Sequence, residues 1–172
     1  MNKFITSKCI LSFVAAFLLS IPAVRAEINP KPFVIPELKS WTGAEGITAP
    51  SGRIVIKNAK AKAVAEALAS DYQTMFGKQL EVATSGSKAG DIVLSIKNDK
   101  ALGPEGYILN IDRTIELTAT TEQGLFWATR SLLQISEQHK EGLPKGKTVD
   151  VPEYKLRGFM IDCGRKFIPM DY

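Results

Sequence analysis

Arg157-Gly158-Phe159-Met160-Ile161-Asp162, with Arg165 three residues on, is the stretch whose residue types and spacing best suit chemistry. An arginine, a short apolar run and an aspartate read as a strand that carries polar groups at its ends. Strand alternation puts Arg157, Phe159 and Ile161 on one face and Gly158, Met160 and Asp162 on the other. A guanidinium is a planar fork of donors, and it suits two vicinal hydroxyls better than the point charge of a lysine would. Asp162 and Arg165 are close enough in sequence to pair and to support such a contact. Two plainer readings stand beside this one: Arg157 as an edge-strand charge, and Asp162 as a helix or turn cap. An apolar strand near the terminus also needs neighbours to cover it. The run therefore reads as the entrance to a second domain that these 172 residues do not complete.

Other reactive side chains are sparse. His139 is the only histidine, and it falls in a polar turn after a helix. Cys9 and Cys163 are the only cysteines, neither belongs to a CxxC pair, and Cys163 reads as a small apolar filler. There is no P-loop, no GxSxG and no GxGxxG after a strand, and no His, Cys and carboxylate cluster has metal-ligand spacing. No cofactor is called for. Trp41 and Trp127 have the flat faces that stack on sugars, although Trp127 falls on the apolar pattern of a helix and reads more simply as core.

The N-terminus sets the compartment expected. Lys3 and Lys8 precede an apolar run from Ile10 to Ile21, and Val24-Arg25-Ala26 supplies small residues before a cut. That order matches a secretory signal over residues 1–26, and the run is too short for a comfortable membrane span. The expectation is a secreted or periplasmic protein with no stable membrane anchor after cleavage. Cleavage after Ala26 would remove three of the 22 basic residues and none of the 18 acidic ones, reducing the net charge from +4 to +1. No basic stripe remains, so nucleic acid is not an expected partner. Oligomeric state is not set by anything in the sequence.

The elements that must position the tail come in a clear order. Asn29-Pro30-Lys31-Pro32 and Pro36 keep the mature start extended. Arg53-Ile54-Val55-Ile56 reads as a short strand. Asn58 is a candidate cap for a helix whose apolar face is Val64, Ala65, Leu68, Tyr72, Met75 and Phe76, closed by Gly77. Leu80–Thr84 and Asp91–Ile96 read as strands. After the turn Gly103-Pro104-Glu105-Gly106, Tyr107–Ile111 and Thr114–Ala119 read as a hairpin joined at Asp112-Arg113. Thr120 with Gln123 forms a capping box for a helix to about Gln138, with Leu125, Phe126, Thr129, Leu132, Leu133 and Ser136 on its buried face. Gly142 to Gly146 reads as a turn-rich linker, which puts the domain boundary near Val149. The expected fold is α+β: a largely antiparallel sheet with two packed helices over residues 27–148, then residues 149–172 opening another domain.

Three of these segments together resemble glycoside hydrolase family 20, the β-N-acetylhexosaminidases. Glu153-Tyr154-Lys155-Leu156-Arg157-Gly158-Phe159-Met160-Ile161-Asp162 with Arg165 is similar to the first strand of that family's catalytic (β/α)8 barrel. Gly106-Tyr107-Ile108-Leu109 resembles its E-G-Y strand, and Gly124–Gln134 resembles its accessory-domain helix. The resemblance implies a truncated barrel start at 149–172 and retaining catalysis in which the substrate's own 2-acetamido group is the nucleophile. It implies an N-acetylhexosamine-containing glycan as substrate, with Arg157 binding hydroxyls of the terminal sugar and Asp162 and Arg165 supporting the site. The family usually has histidine where this chain has Lys166, so that histidine's contacts do not carry over. The family's acid and acetamido-orienting pair is an Asp-Glu dipeptide on a later strand, and no Asp-Glu dipeptide occurs here. No catalytic residue is therefore expected in this chain, and it is expected to be inactive alone. A stand-alone periplasmic carbohydrate-binding or scaffold domain is the alternative.

Overall fold

A computed structural model describes residues 28–158, 160 and 164. The expected leader at 1–26, and Asp162, Cys163 and Arg165, lie outside the described residues. The described chain runs β1 (Thr42–Thr48), β2 (Arg53–Ile56), a 3₁₀ turn (Ala59–Ala61), α1 (Lys62–Phe76), β3 (Glu81–Ala83), β4 (Ile92–Ile96), β5 (Tyr107–Ile111), β6 (Ile115–Ala119), α2 (Glu122–Gln138) and β7 (Leu143–Asp150). The seven strands form one sheet in the order β1-β7-β5-β6-β4-β2-β3.

The sheet is mixed, which corrects the largely antiparallel expectation. β1–β7, β7–β5 and β5–β6 pair antiparallel, whereas β6–β4, β4–β2 and β2–β3 pair parallel. The reason is visible in β4. Ile92, Val93, Leu94 and Ser95 are all buried, so the strand is covered on both faces, as a parallel strand usually is. A run of that kind shows no period-2 alternation from which its direction might be read. In contrast, β5 and β6 alternate strictly. Tyr107, Leu109 and Ile111 lie opposite Ala119, Leu117 and Ile115, and these six residues are buried.

The two helices pack against the sheet and against each other. Leu68 of α1 and Leu125 and Leu132 of α2 join Ile54, Leu94, Leu109 and Leu117 in one core. Removing such side chains from water is the main favourable contribution, roughly 1.5–3 kcal/mol for each fully buried leucine or isoleucine. Between the helices, the Arg130 guanidinium pairs with Asp71 (2.6 Å) and lies over the Phe126 ring (4.3 Å). Gly77 ends α1 at φ +66°, a left-handed conformation that glycine adopts without Cβ strain.

Two caps differ from expectation. Asn58 does not cap; its Nδ2 donates to the Ile96 carbonyl (2.7 Å), tying the 3₁₀ turn to β4. α2 is capped by Thr121, whose hydroxyl accepts from the Gly124 N–H (3.1 Å), while Thr120 donates to the Asp99 carbonyl (2.8 Å). The hydroxyl one residue later is the one in register with the helix's third amide.

The largest departure is β7. The expected linker at Gly142–Gly146 lies in or beside a strand inside the sheet, and the domain continues to Asp150. Pro144 is tolerated because pairing with β5 begins only at Gly146, so no ladder bond on that side needs its missing N–H. Gly146 is required by packing: a Cβ there would overlap the Trp41 ring. β1 was not anticipated either. Its register shifts between Gly43 and Ile47, and the Asn29 amide bridges the carbonyls of Ala44 (2.6 Å), Gly46 (2.6 Å) and Lys145 (3.1 Å).

Candidate functional site

The turn before β5, the start of α2 and the segment leaving β7 meet at one place. Gly106 and Gly124 make this approach close. A Cβ on Gly124 would come within 2.6 Å of the Gly106 carbonyl oxygen, and a Cβ on Gly106 within 2.9 Å of a Val151 methyl. The turn is secured by the Gly106 N–H on the Leu102 carbonyl (3.0 Å) and by the Thr121 hydroxyl on the Pro104 carbonyl. Next along the strand, the Tyr107 hydroxyl bonds Ser131 of α2 (2.6 Å), both groups being buried. Burial pushes the Tyr107 phenol well above its ordinary range, outweighing the hydrogen bond from Ser131, which acts the other way.

Arg157 closes this cluster. Its Nη2 pairs with the Glu105 carboxylate and its Nη1 donates to the Tyr154 carbonyl (2.5 Å). Glu105 is the functional neighbour that the sequence reading passed over. Its signal was present, since it is the first residue of the Glu-Gly-Tyr motif, but a contact spanning 52 residues leaves no local pattern.

Beside the cluster lies a groove of about 650 Å³, with Ile35, Pro36, Trp127, Tyr107, Asp150 and Tyr154 among its lining residues. Trp127 is 38% exposed on the wall of this groove, so it is not the core residue its helix pattern suggested. Its ring meets Phe126 edge-on with centroids 5.4 Å apart. Trp41 packs on Gly146 and donates to the Asn29 carbonyl (3.2 Å). Polar groups around the groove are engaged within the protein. Gln134 exchanges hydrogen bonds with both backbone groups of Ile35 (2.8 and 3.0 Å), and Asp150 accepts from the Lys39 N–H (3.1 Å).

This arrangement binds and positions, and it holds no nucleophile with its base. His139 sits at the far end of α2, about 25 Å along the helix from the Glu105 turn. Among the described residues, no three His, Cys, Asp or Glu side chains gather where they could hold a metal ion. No helix among them is long and apolar enough to cross a membrane.

Comparison with known proteins agrees with this geometry. Residues 31–151 match glycosyl hydrolase family 20, domain 2. A lacto-N-biosidase from Bifidobacterium bifidum is 33% identical over 132 residues, covering 74% of this chain and 12% of that protein. A beta-hexosaminidase from Vibrio furnissii is 35% identical over 86 residues, covering 48% of this chain and 14% of that protein. The chain thus spans only a small part of the curated relatives it matches. The solved GH20 β-N-acetylhexosaminidase of Streptomyces coelicolor superposes with a TM-score of 0.68 at 26% identity, over 85% of this chain and 32% of that one. An exo-β-N-acetylglucosaminidase of Vibrio harveyi shares the fold with a TM-score of 0.67 at 19% identity, over 86% of this chain and 23% of that one. The matched span ends at the last residue before Pro152, where the Arg157 segment departs, and the chain belongs to glycosyl hydrolase family 20.

Proposed function

We propose that this chain is the accessory-domain portion of an exported β-N-acetylhexosaminidase that removes terminal non-reducing N-acetylhexosamine from glycans or chitooligosaccharides. The observation that carries the reading is the match of 31–151 to the family's domain 2 on a fold of the same architecture. Residues 1–26 are proposed to direct export to the periplasm or outside the cell, and residues 149–172 to lead into a catalytic barrel. In the complete enzyme, the carbonyl oxygen of the 2-acetamido group attacks the anomeric carbon as a glutamic acid protonates the departing glycosidic oxygen. Water then opens the oxazoline and the glutamate recovers its proton, giving net retention. The glutamate and its acetamido-orienting aspartate are proposed to lie in the rest of the protein. Asp162 and Arg165 are the residues of this chain proposed to stand near the sugar pocket. The sugar contact assigned to Arg157 rests on the resemblance, while its described hydrogen bonds go to Glu105 and Tyr154.

Hydrolysis of paired chromogenic substrates tests this. The complete protein is expected to cleave a p-nitrophenyl N-acetyl-β-glucosaminide and to leave the matching β-glucoside, which lacks the acetamido nucleophile, essentially untouched. The 172-residue chain is expected to cleave neither. Equal rates on both substrates would refute substrate assistance, and turnover by this chain alone would refute the assignment of catalysis elsewhere. The exposed face of Trp127 favours one other reading, a carbohydrate-binding domain that acts without catalysis. Saturable quenching of tryptophan fluorescence by chitooligosaccharides, lost in Trp127→Ala, would support it.

A further inference from the structure

The Glu105–Arg157 pair has one fixed partner and one that reaches. The Glu105 side chain is 19% exposed and stands on the turn locked by Gly106, Pro104 and the start of α2, whereas the Arg157 side chain is 44% exposed. Val151 packs over Gly106, and Arg157 returns to Glu105, the residue before it. Two adjacent residues of the turn therefore hold both ends of the segment 151–157, and Pro152 stiffens its start. Both terminal nitrogens of Arg157 are engaged by protein acceptors, which turns the fork of donors onto the domain.

We infer that Glu105 and Arg157 form a latch at the domain junction: Glu105 is the positioning residue that fixes where the segment after β7 leaves the domain, and Arg157 meets protein rather than sugar. The latch itself rests on geometry alone. Its consequence for catalysis rests on the hexosaminidase reading, in which this segment opens the barrel and a loosened junction misplaces the first strand.

Limited trypsin digestion of the full 172-residue chain tests the latch without reference to activity. Cleavage after Lys155 needs the segment to leave Glu105, and an exposed ion pair shifts that opening only modestly. Glu105→Gln, a near-isosteric change, is expected to accelerate this cleavage about twofold to fivefold. Arg157→Gln should do the same, and the double variant no more than either single one. An unchanged rate in Glu105→Gln overturns the latch. In the complete enzyme, both single variants should lower kcat to a similar extent with KM within about twofold of wild type. The swapped pair Glu105→Arg/Arg157→Glu should recover most of the loss. A KM raised tenfold or more in Arg157→Gln, with Glu105→Gln unaffected and no recovery by the swap, would return Arg157 to the sugar and overturn the inference. Absence of hexosaminidase activity in the wild-type enzyme would sink the functional reading, and the digestion would still judge the latch.

Discussion

Replacing Asp91 by asparagine should cost stability in a way that depends on pH, with the size set by its surroundings. The Asp91 side chain is 1% exposed just ahead of β4. Its carboxylate accepts from the Ser51 hydroxyl (2.6 Å), Arg53 Nη2 (2.7 Å) and the Lys88 N–H (2.7 Å). Burial is the largest single influence and pushes the acid up, but the hydrogen bonds from Arg53, Ser51 and Lys88 together outweigh it. They hold the group at about 2 instead of 3.8. That difference corresponds to about 2.5 kcal/mol of folding stability when the group is ionised. The folded value is depressed, so the contribution is complete above about pH 5 and is lost as pH falls through 3.8 toward 2. By pH 3 nearly half of it should be gone. Asp91→Asn keeps the shape, removes the charge and deprives Arg53 of its carboxylate. The variant should be less stable by roughly 2–4 kcal/mol at pH 7. Urea unfolding of both proteins at pH 7 and pH 3 measures the gap, which should narrow by about 1 kcal/mol at the lower pH. A gap unchanged to within about 0.3 kcal/mol, or no gap at pH 7, would refute this account of the cluster.

Two further substitutions test the architecture by the same unfolding measurement. Thr121→Ala should lose about 1 kcal/mol through the missing α2 cap, whereas Gln123→Ala, exposed on the first turn, should stay within about 0.5 kcal/mol, since it completes no capping box. Leu117→Ala, at a fully buried position of β6 opposite Leu109, should cost about 2–5 kcal/mol, and a smaller loss would mean the core collapses around the gap.

What could be read from the residues alone was whatever local patterning controls. The faces of both helices, the β5–β6 hairpin and the glycine that ends α1 are set by spacing, and spacing is visible. Strand direction was not visible in β4, because a strand buried on both faces carries no alternation to read. β7 was hidden by its own composition. Gly142, Pro144 and Gly146 carry turn chemistry, yet Gly146 is there to admit the Trp41 ring, a requirement set by a residue 105 positions earlier. Glu105 was hidden for the same kind of reason. A carboxylate in a Gly-Pro-Glu-Gly turn reads as solvated until the fold brings Arg157 to it. The tail showed its apolar run and its charges, and nothing local told where the first of those charges would go.

The three motifs on which the family resemblance rests converge in space, and this explains why those residue types recur together. Gly124 opens the helix motif and must lack a side chain because the Gly106 carbonyl lies against it. Gly106 comes directly after Glu105 in the strand motif and must be small because Val151 crosses it. Tyr107 then crosses to Ser131, further along the same helix motif, and Glu105 reaches Arg157, which opens the barrel-strand motif. Each motif is thus half of a contact with another. A change in one alone leaves a clash, an unpaired hydroxyl or a charge without its partner. The glycines and the charged pair consequently act through how the accessory domain is joined to the segment after β7, so their recurrence does not require any of them to touch the sugar.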